Sequence, residues 1–192
     1  QGEVIYTIPK KSKLGGKYGT KLSANYSLVH GLDKQPVDWI FDGSPRGTNG
    51  YTAELFSWGD LFFQDLNFTL SKKINKNWKL IFQYVNLIYN IAVIEGHPEA
   101  PIVHASISVL DVTHKFSSRN SLRFEVQHLF TEQDRGDWVM GLLEYNIAPK
   151  WFFSIQDQYN YGNPESSMQL HYFTGNVAFV QGPSRISLSY GK

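Results

Sequence analysis

The chain has no cysteine. That excludes disulfides, thiolate metal ligands and cysteine nucleophiles, and leaves the redox compartment open. It has no run of about 18 apolar residues, so no transmembrane helix is expected. It also lacks a surplus of either charge: 18 Lys and Arg stand against 17 Asp and Glu, for a formal net charge of +1. A dedicated nucleic-acid binder would show a clustered basic surplus, so no nucleic acid is expected as a partner. No signal peptide is recognisable, and a start at Gln1 fits a processed or truncated product. What is present is apolar: 42% of the 192 residues are hydrophobic and 15% aromatic. Such a chain is too apolar to stay disordered and long enough for one domain with a full core.

Almost every segment alternates with period two, and almost none has helical period. Residues 18–30 set Leu22, Ala24, Tyr26 and Leu28 against Lys21, Ser23, Asn25 and Ser27. Leu66, Phe68 and Leu70 oppose Asp65, Asn67, Thr69 and Ser71. Leu122, Phe124 and Val126 oppose Arg123, Glu125 and Gln127. Trp151, Phe153 and Ile155 oppose Ser154, Gln156 and Gln158, with Phe152 as the exception, and Ile186, Leu188 and Tyr190 oppose Arg185, Ser187 and Ser189. The fold class is therefore all-β. Short turns are expected at 74–77, 117–120, 148–150 and 181–184, and longer links at 31–58, 95–101, 131–137 and 161–167. This gives about ten strands, many of them longer than the five or six residues usual in globular sheets and close to the roughly 9–11 that a tilted membrane strand needs. Short turns at one end and long loops at the other describe an up-and-down transmembrane β-barrel, read as a single domain over 1–192 with the long loop 31–58.

Periodicity alone does not say which face is the core. In a soluble sandwich or a lipocalin-like binder the apolar face points inward, whereas in an outer-membrane barrel it meets lipid and the polar set lines the interior. Aromatic placement favours the second. Trp78 and Trp151 each follow a short turn, Phe116 precedes one, and Tyr145 sits three residues before Ala148. Rings gathered near strand ends suit a membrane-interface girdle, because an apolar body and a polar edge straddle that boundary.

Several stretches also resemble a known family: Ser121 to Phe130, Gly141 to Trp151, Asp157 to Asn163, and the closing Arg185 to Lys192. Together they resemble the C-terminal part of a Bacteroidota-type outer-membrane β-barrel family of unknown function, with the likeness carried from about residue 60 onward. The resemblance implies an outer-membrane address in a Gram-negative bacterium and a larger parent barrel. It brings no established activity and no site residues. Family members of this kind continue past Ser-Tyr-Gly-Lys into a further strand, so 1–192 is expected to be a fragment of a longer chain.

On this reading the lumen is lined by Lys21, Asp65, Asn67, Arg123, Glu125, Glu144, Gln156 and Arg185, a mixed set that suits either a weakly selective wet pore or an interior filled by paired charges. His104 shares a face with Ser106 and Ser108, which raises the alternative of an outer-membrane hydrolase with a lumen-facing Ser/His site. Residues two apart on a strand are roughly 7 Å apart, however, and no Gly-x-Ser-x-Gly elbow or His-Glu-x-x-His is present. The loop 31–58 carries Trp39, Phe41 and Trp58, which could dock a partner, cover the barrel mouth, bind sugar through ring stacking or fold back on the rim. Its Asp and Asn spacing does not fit a calcium loop. No metal or cofactor is expected. The expected role is non-enzymatic: a passive pore or a structural subunit of an envelope complex, with outer-membrane lipid and other envelope proteins as partners.

Overall fold

The computed structural model describes residues 1–36 and 51–191. Ten strands form a single antiparallel sheet: β1 (Gly2–Ile8), β2 (Thr20–His30), β5 (Leu61–Lys73), β6 (Trp78–Asn90), β7 (Ile102–Lys115), β8 (Asn120–Phe130), β9 (Trp138–Ile147), β10 (Trp151–Tyr159), β11 (His171–Gln181) and β12 (Ser184–Gly191). Each pairs with the next in that order, so the sheet is a meander. A small hairpin of β3 (Lys34–Pro36) and β4 (Tyr51–Ala53) stands apart, and among the described residues helix is confined to α1 (Ile91–Ile94) and one 3-10 turn at Ser166–Met168. No helix among the described residues is long and apolar enough to cross a membrane, which says nothing of strands.

The links fall as the sequence pattern expects. Tight connections join Lys73 to Trp78, Lys115 to Asn120, Ile147 to Trp151 and Gln181 to Ser184 at one end of the sheet, and longer ones stand at the other. The segment 9–19, between β1 and β2, is a long link at the tight-turn end that the pattern did not single out. β1 and β12 are the two edges, and no ladder joins them among the described residues, so the sheet is open rather than a closed barrel. Both edge strands are short and exposed on nearly every residue.

Register divides the sheet into two chemically distinct faces, because residues paired across strands point to the same side. The pairs Ser27↔Asp65 and Asn25↔Asn67 begin a polar face. Thr113↔Arg123, Arg123↔Glu144, Glu144↔Ser154 and Ser154↔Asn176 carry it across the sheet. The pairs Ala24↔Phe68 and Phe68↔Tyr84 belong to the opposite, apolar face, continued by Phe124↔Leu143 and Leu143↔Ile155.

Burial runs against the usual rule. On the polar face Asp111 is 9% and Glu125 7% exposed, while the apolar face leaves Phe68 at 42%, Phe124 at 45% and Ile155 at 50%. The only buried hydrophobic residues among those described are Ala105 and Ala178. A domain of this size normally stacks two layers around an apolar core; among the described residues no second layer covers the apolar face. The consequence shows in the surface. A compact soluble chain of 22.0 kDa exposes about 9,300 Å², and this one exposes 13594 Å².

At the long-loop end, two links lock together. Asn160, 1% exposed, donates from its amide nitrogen to the carbonyls of Arg135 and Asp137 at 2.9 and 3.0 Å, and its oxygen accepts from Asn163 at 2.9 Å. Gly136 (φ 71°) and Gly162 press backbone to backbone there, and a Cβ on either would collide with the other loop.

Candidate functional site

The enclosed polar face is the candidate site, and Arg123 is its centre. Period two puts Arg123, Glu125 and Gln127 on one side of β8, and antiparallel register sets Thr113 of β7 and Glu144 of β9 directly beside Arg123. Arg123 Nε donates to Asp111 Oδ2 at 2.5 Å, Nη2 donates to Glu125 Oε2, and Nη1 lies 3.8 Å from Glu144 Oε2. Gln127 Nε2 donates to Glu125 at 2.6 Å, and Asn146 Nδ2 donates to Glu144 at 2.8 Å. One guanidinium thus holds three carboxylates, which leaves the cluster net negative. The fork geometry of Arg lets it bridge strands on both sides, which a lysine point charge would not do.

All eight residues expected to line a lumen lie on this face by register, through Lys21↔Ser71, Asn25↔Asn67, Glu144↔Ser154 and Val180↔Arg185 among other pairs. The structure brings only Arg123, Glu125 and Glu144 into mutual contact. Arg185 lines a polar cavity of about 250 Å³ with Glu144, Ser154 and Asn176. Lys21 and Arg185 are exposed; Asp65, Asn67 and Gln156 are half-buried. Asp111, which accepts from Arg123 Nε, is not singled out by the sequence pattern. Its strand reads Ile107-Ser108-Val109-Leu110-Asp111-Val112-Thr113, with aliphatic residues on both parities, so alternation there is blurred.

The same face is not uniformly polar. Toward the long loops, Ile107, Leu129, Trp138 and Met140, with Gln127 and Gln158, line a cavity of about 330 Å³. A second cavity of about 200 Å³ shares Leu129 and Trp138 and opens beside Glu95 and Asp134. Trp138 reaches across β10 to Tyr172, their rings 5.7 Å apart. The enclosed face is thus charged toward the tight turns and largely apolar toward the long loops.

The expected interface aromatics lie together at the tight-turn end of the apolar face. Trp78 stacks on His114 at 4.2 Å, His114 meets Phe116 edge-on at 4.5 Å, and Trp151 lies 4.7 Å from Phe179. Tyr145 pairs with Leu122 and Phe153 on the same face. A second belt, not foreseen, stands at the long-loop end: His30 stacks on Trp58 at 3.9 Å, His171 on Tyr159 at 4.1 Å, and His128 Nε2 lies 2.5 Å from the Tyr161 hydroxyl. The phenol of Tyr161, in the loop, is raised above its ordinary pKa by burial first and by the neighbouring Asp137 second. The signal for this belt was in the sequence: His30, His104, His114, His128 and His171 all share the parity of the apolar face. Trp39 and Phe41 lie outside the described residues, while Trp58 is 70% exposed.

The serine and histidine pattern resolves differently from the expectation. His104, Ser106 and Ser108 pair with Ile88, Asn86 and Tyr84 on the apolar face, not on the enclosed one. Their parity is that of Leu110 and Val112, so they stand on the side opposite Asp111 and Arg123. Ser106 Oγ is instead paired with the Tyr84 hydroxyl at 3.1 Å. Among the described residues no three His, Cys, Asp or Glu side chains converge as a metal site.

Comparison with known proteins adds one relationship. Neither the curated proteins nor the solved structures contain a match. One family model does match, and over residues 1–192, so the likeness includes the first 60 residues as well as the later strands. The chain belongs to that family, described as "Family of unknown function (DUF6029)".

Proposed function

We propose that this chain forms the wall of an antiparallel β-barrel spanning the outer membrane of a Gram-negative bacterium of Bacteroidota type, and that it serves non-enzymatically as a passive conduit for small polar solutes. The observation that carries this reading is the inversion of burial: a charged cluster on the enclosed face, and on the exposed one a largely apolar sheet surface, interrupted by Asn86, Ser106, Ser108 and the His171-paired Asp157. In water, exposed apolar patches beyond a few hundred Å² are rare, whereas hydrocarbon is the natural neighbour of such a face.

The dimensions agree with this. On β5 the exposed-face polar residues Gln64 and Lys72 bracket Leu66, Phe68 and Leu70, and on β10 the belt residues Trp151 and Tyr159 bracket Phe153, Ile155 and, beside Tyr159, Asp157, whose carboxylate is paired with His171 of the belt. Each interval is eight residues, about 26 Å along a strand and about 20 Å after tilting by about 40°, near the roughly 25 Å apolar band of such barrels. Tyr84 and Ser106 fall within the band and satisfy each other's hydroxyl groups. On the enclosed face, buried oxygens of Asp65, Asn146 and Asn176 have no hydrogen-bond partner in the protein. A water-filled lumen satisfies them and a dry core does not.

The open edges favour a second reading as a subunit. β1 and β12 carry unpaired strand edges, a strong drive for pairing with a further strand. That strand comes from the rest of a longer chain or from another envelope protein. Reconstitution of the full-length protein in a planar bilayer tests the conduit: stepwise conductance supports it, and silence from correctly folded protein refutes it. Stoichiometric companions in mild-detergent purification from the native envelope support the subunit role, and a lone species counts against it.

A further inference from the structure

The net charge of +1 conceals a separation of charge between the two ends of the sheet. The segments 9–19, 72–79, 115–120, 147–151 and 181–185, which form the tight-turn end, hold twelve of the 18 basic residues and none of the 17 acidic ones. At the other end, the described links 31–36, 51–60, 91–101, 131–137 and 160–170 hold nine acidic residues and two basic ones. Among the described residues, none of the twelve cations is in an ion pair with a carboxylate.

Within that basic end one place is a shallow cleft open to its surroundings. The link 9–19 and the turn 74–77 flank a shallow, open depression of about 440 Å³ lined by Lys17, Tyr18, Lys76, Asn77 and Trp78. Tyr18 is flanked by cations, with Lys17 Nζ 5.9 Å and Lys73 Nζ 5.0 Å from its ring centre. The turn is held rigid: Asn75 Oδ1 accepts from the backbone N–H groups of Asn77 and Trp78 at 2.8 and 2.9 Å. Lys72 Nζ, donating to the Leu14 carbonyl at 3.1 Å, ties the link to β5. Trp78 belongs at once to this cleft and to the aromatic belt that bounds the apolar face.

We propose that this cleft binds the phosphate headgroup of an anionic phospholipid, with Lys17 and Lys76 as its charge partners and Trp78 against the glycerol and upper acyl chain. The inference rests on the membrane reading above and identifies the lipid that this end selects. Two observations fix the ligand class. The cations answer a phosphate, for which no counter-charge exists in the protein at this end. The belt places the cleft at headgroup depth, so the anion arrives attached to acyl chains. A cation near an anionic lipid surface gains about fivefold in binding.

The test uses full-length protein in neutral detergent, titrated with dihexanoyl phosphatidylglycerol, dihexanoyl phosphatidylcholine and glycerol phosphate, and followed by tryptophan fluorescence. The anionic lipid is expected to bind about 25-fold more tightly than the zwitterionic one, about fivefold for each of two lysines. K17Q and K76Q should each lose about fivefold of that preference and the double variant about 25-fold, whereas K150Q, distant along the same end, should change it less than twofold. Equal binding of both lipids overturns the proposal. So does an equal loss in K150Q, which would mean a diffuse basic surface, or binding of glycerol phosphate as tight as the lipid, which would mean a soluble ligand. Should K17Q/K76Q fail to fold, raising the salt to about 0.5 M must remove the wild-type preference by screening, and its persistence overturns the proposal. A chain that stays monodisperse without detergent and binds neither lipid refutes the membrane reading instead; binding without headgroup preference refutes only this site.

Discussion

Replacing Phe68 by Arg separates the two possible environments of the apolar face by energy alone. Phe68 lies midway between Gln64 and Lys72 on β5, flanked by Ala24 and Tyr84 and 42% exposed. In water an Arg at so open a position would be close to neutral, within about 0.5 kcal/mol. At the centre of a bilayer it costs about 2–4 kcal/mol, falling toward zero at the interfaces. Phe68 is four residues from either polar flank, about 13 Å along the strand and about 10 Å in depth, so the upper part of that range is expected. Asn67, the next residue, points to the enclosed side between Asn25 and Val85. Asn67→Arg should cost less than about 1 kcal/mol if that side is wet. Urea unfolding of protein folded into phosphatidylcholine vesicles measures both. A Phe68→Arg cost under 0.5 kcal/mol, or a larger cost at Asn67, would refute the assignment of faces.

Other expectations follow from the same geometry. Arg123→Met strands Asp111, Glu125 and Glu144 beside one another; with the Arg123 side chain 33% exposed, the expected cost is about 1–3 kcal/mol in the same unfolding assay, below the 3–5 of a fully buried pair. Asn160→Ala removes two hydrogen bonds between the 131–137 and 160–170 links and a third within the latter, and should cost about 1–3 kcal/mol, with faster amide exchange confined to those loops. Gly162→Ala puts a Cβ into the backbone of Asp137; proteolysis at the long loops should quicken, and unchanged cleavage would mean the loops do not pack as described.

Much of this was legible in the sequence, because alternation with period two assigns a face without knowledge of which strand is neighbour to which. Lys21, Asp65, Arg123 and Glu144 could be placed on one side from their own strands alone, and the tight turns marked by Asn-Lys-Asn and Pro-Lys were visible as breaks in that pattern. Register was not legible. Nothing in the residues around Asp111 says that it stands within reach of Arg123, and its own strand carries aliphatic residues on both sides. The apolar recess at Leu129 and Trp138 escaped notice for the same reason: its members come from strands whose enclosed-face residues turn from polar to apolar partway along. His104 shares a side with Ser106 and Ser108, and that side is the apolar one. The neighbouring serines suggested a polar face, while the parity of Leu110 and Val112 decides otherwise. Closure was read from strand number and turn pattern, but it depends on whether two edges meet, and β1 and β12 do not.

The ordering of charge along the chain has an energetic consequence that does not depend on any ligand. In a meander every second link returns to the same end, so a mixed distribution of Lys, Arg, Asp and Glu would leave both ends near neutral. Here links alternate basic and acidic, from 72–79 through 91–101, 115–120, 131–137, 147–151 and 160–170 to 181–185. Like charges gathered at an end repel, and the attraction between opposite ends, separated by more than two Debye lengths at physiological salt (about 8 Å each), is screened away. Each end therefore destabilises the folded sheet unless something outside it supplies counter-charge. In neutral detergent, salt should relieve the repulsion, and stability should rise as ionic strength increases from about 0.02 to about 0.3 M. In vesicles containing phosphatidylglycerol the sign should reverse at the basic end, because salt then screens an attraction. Stability that falls with salt in both media would mean that the ends compensate each other within the protein, and the separation would have no need of a charged surface to explain it.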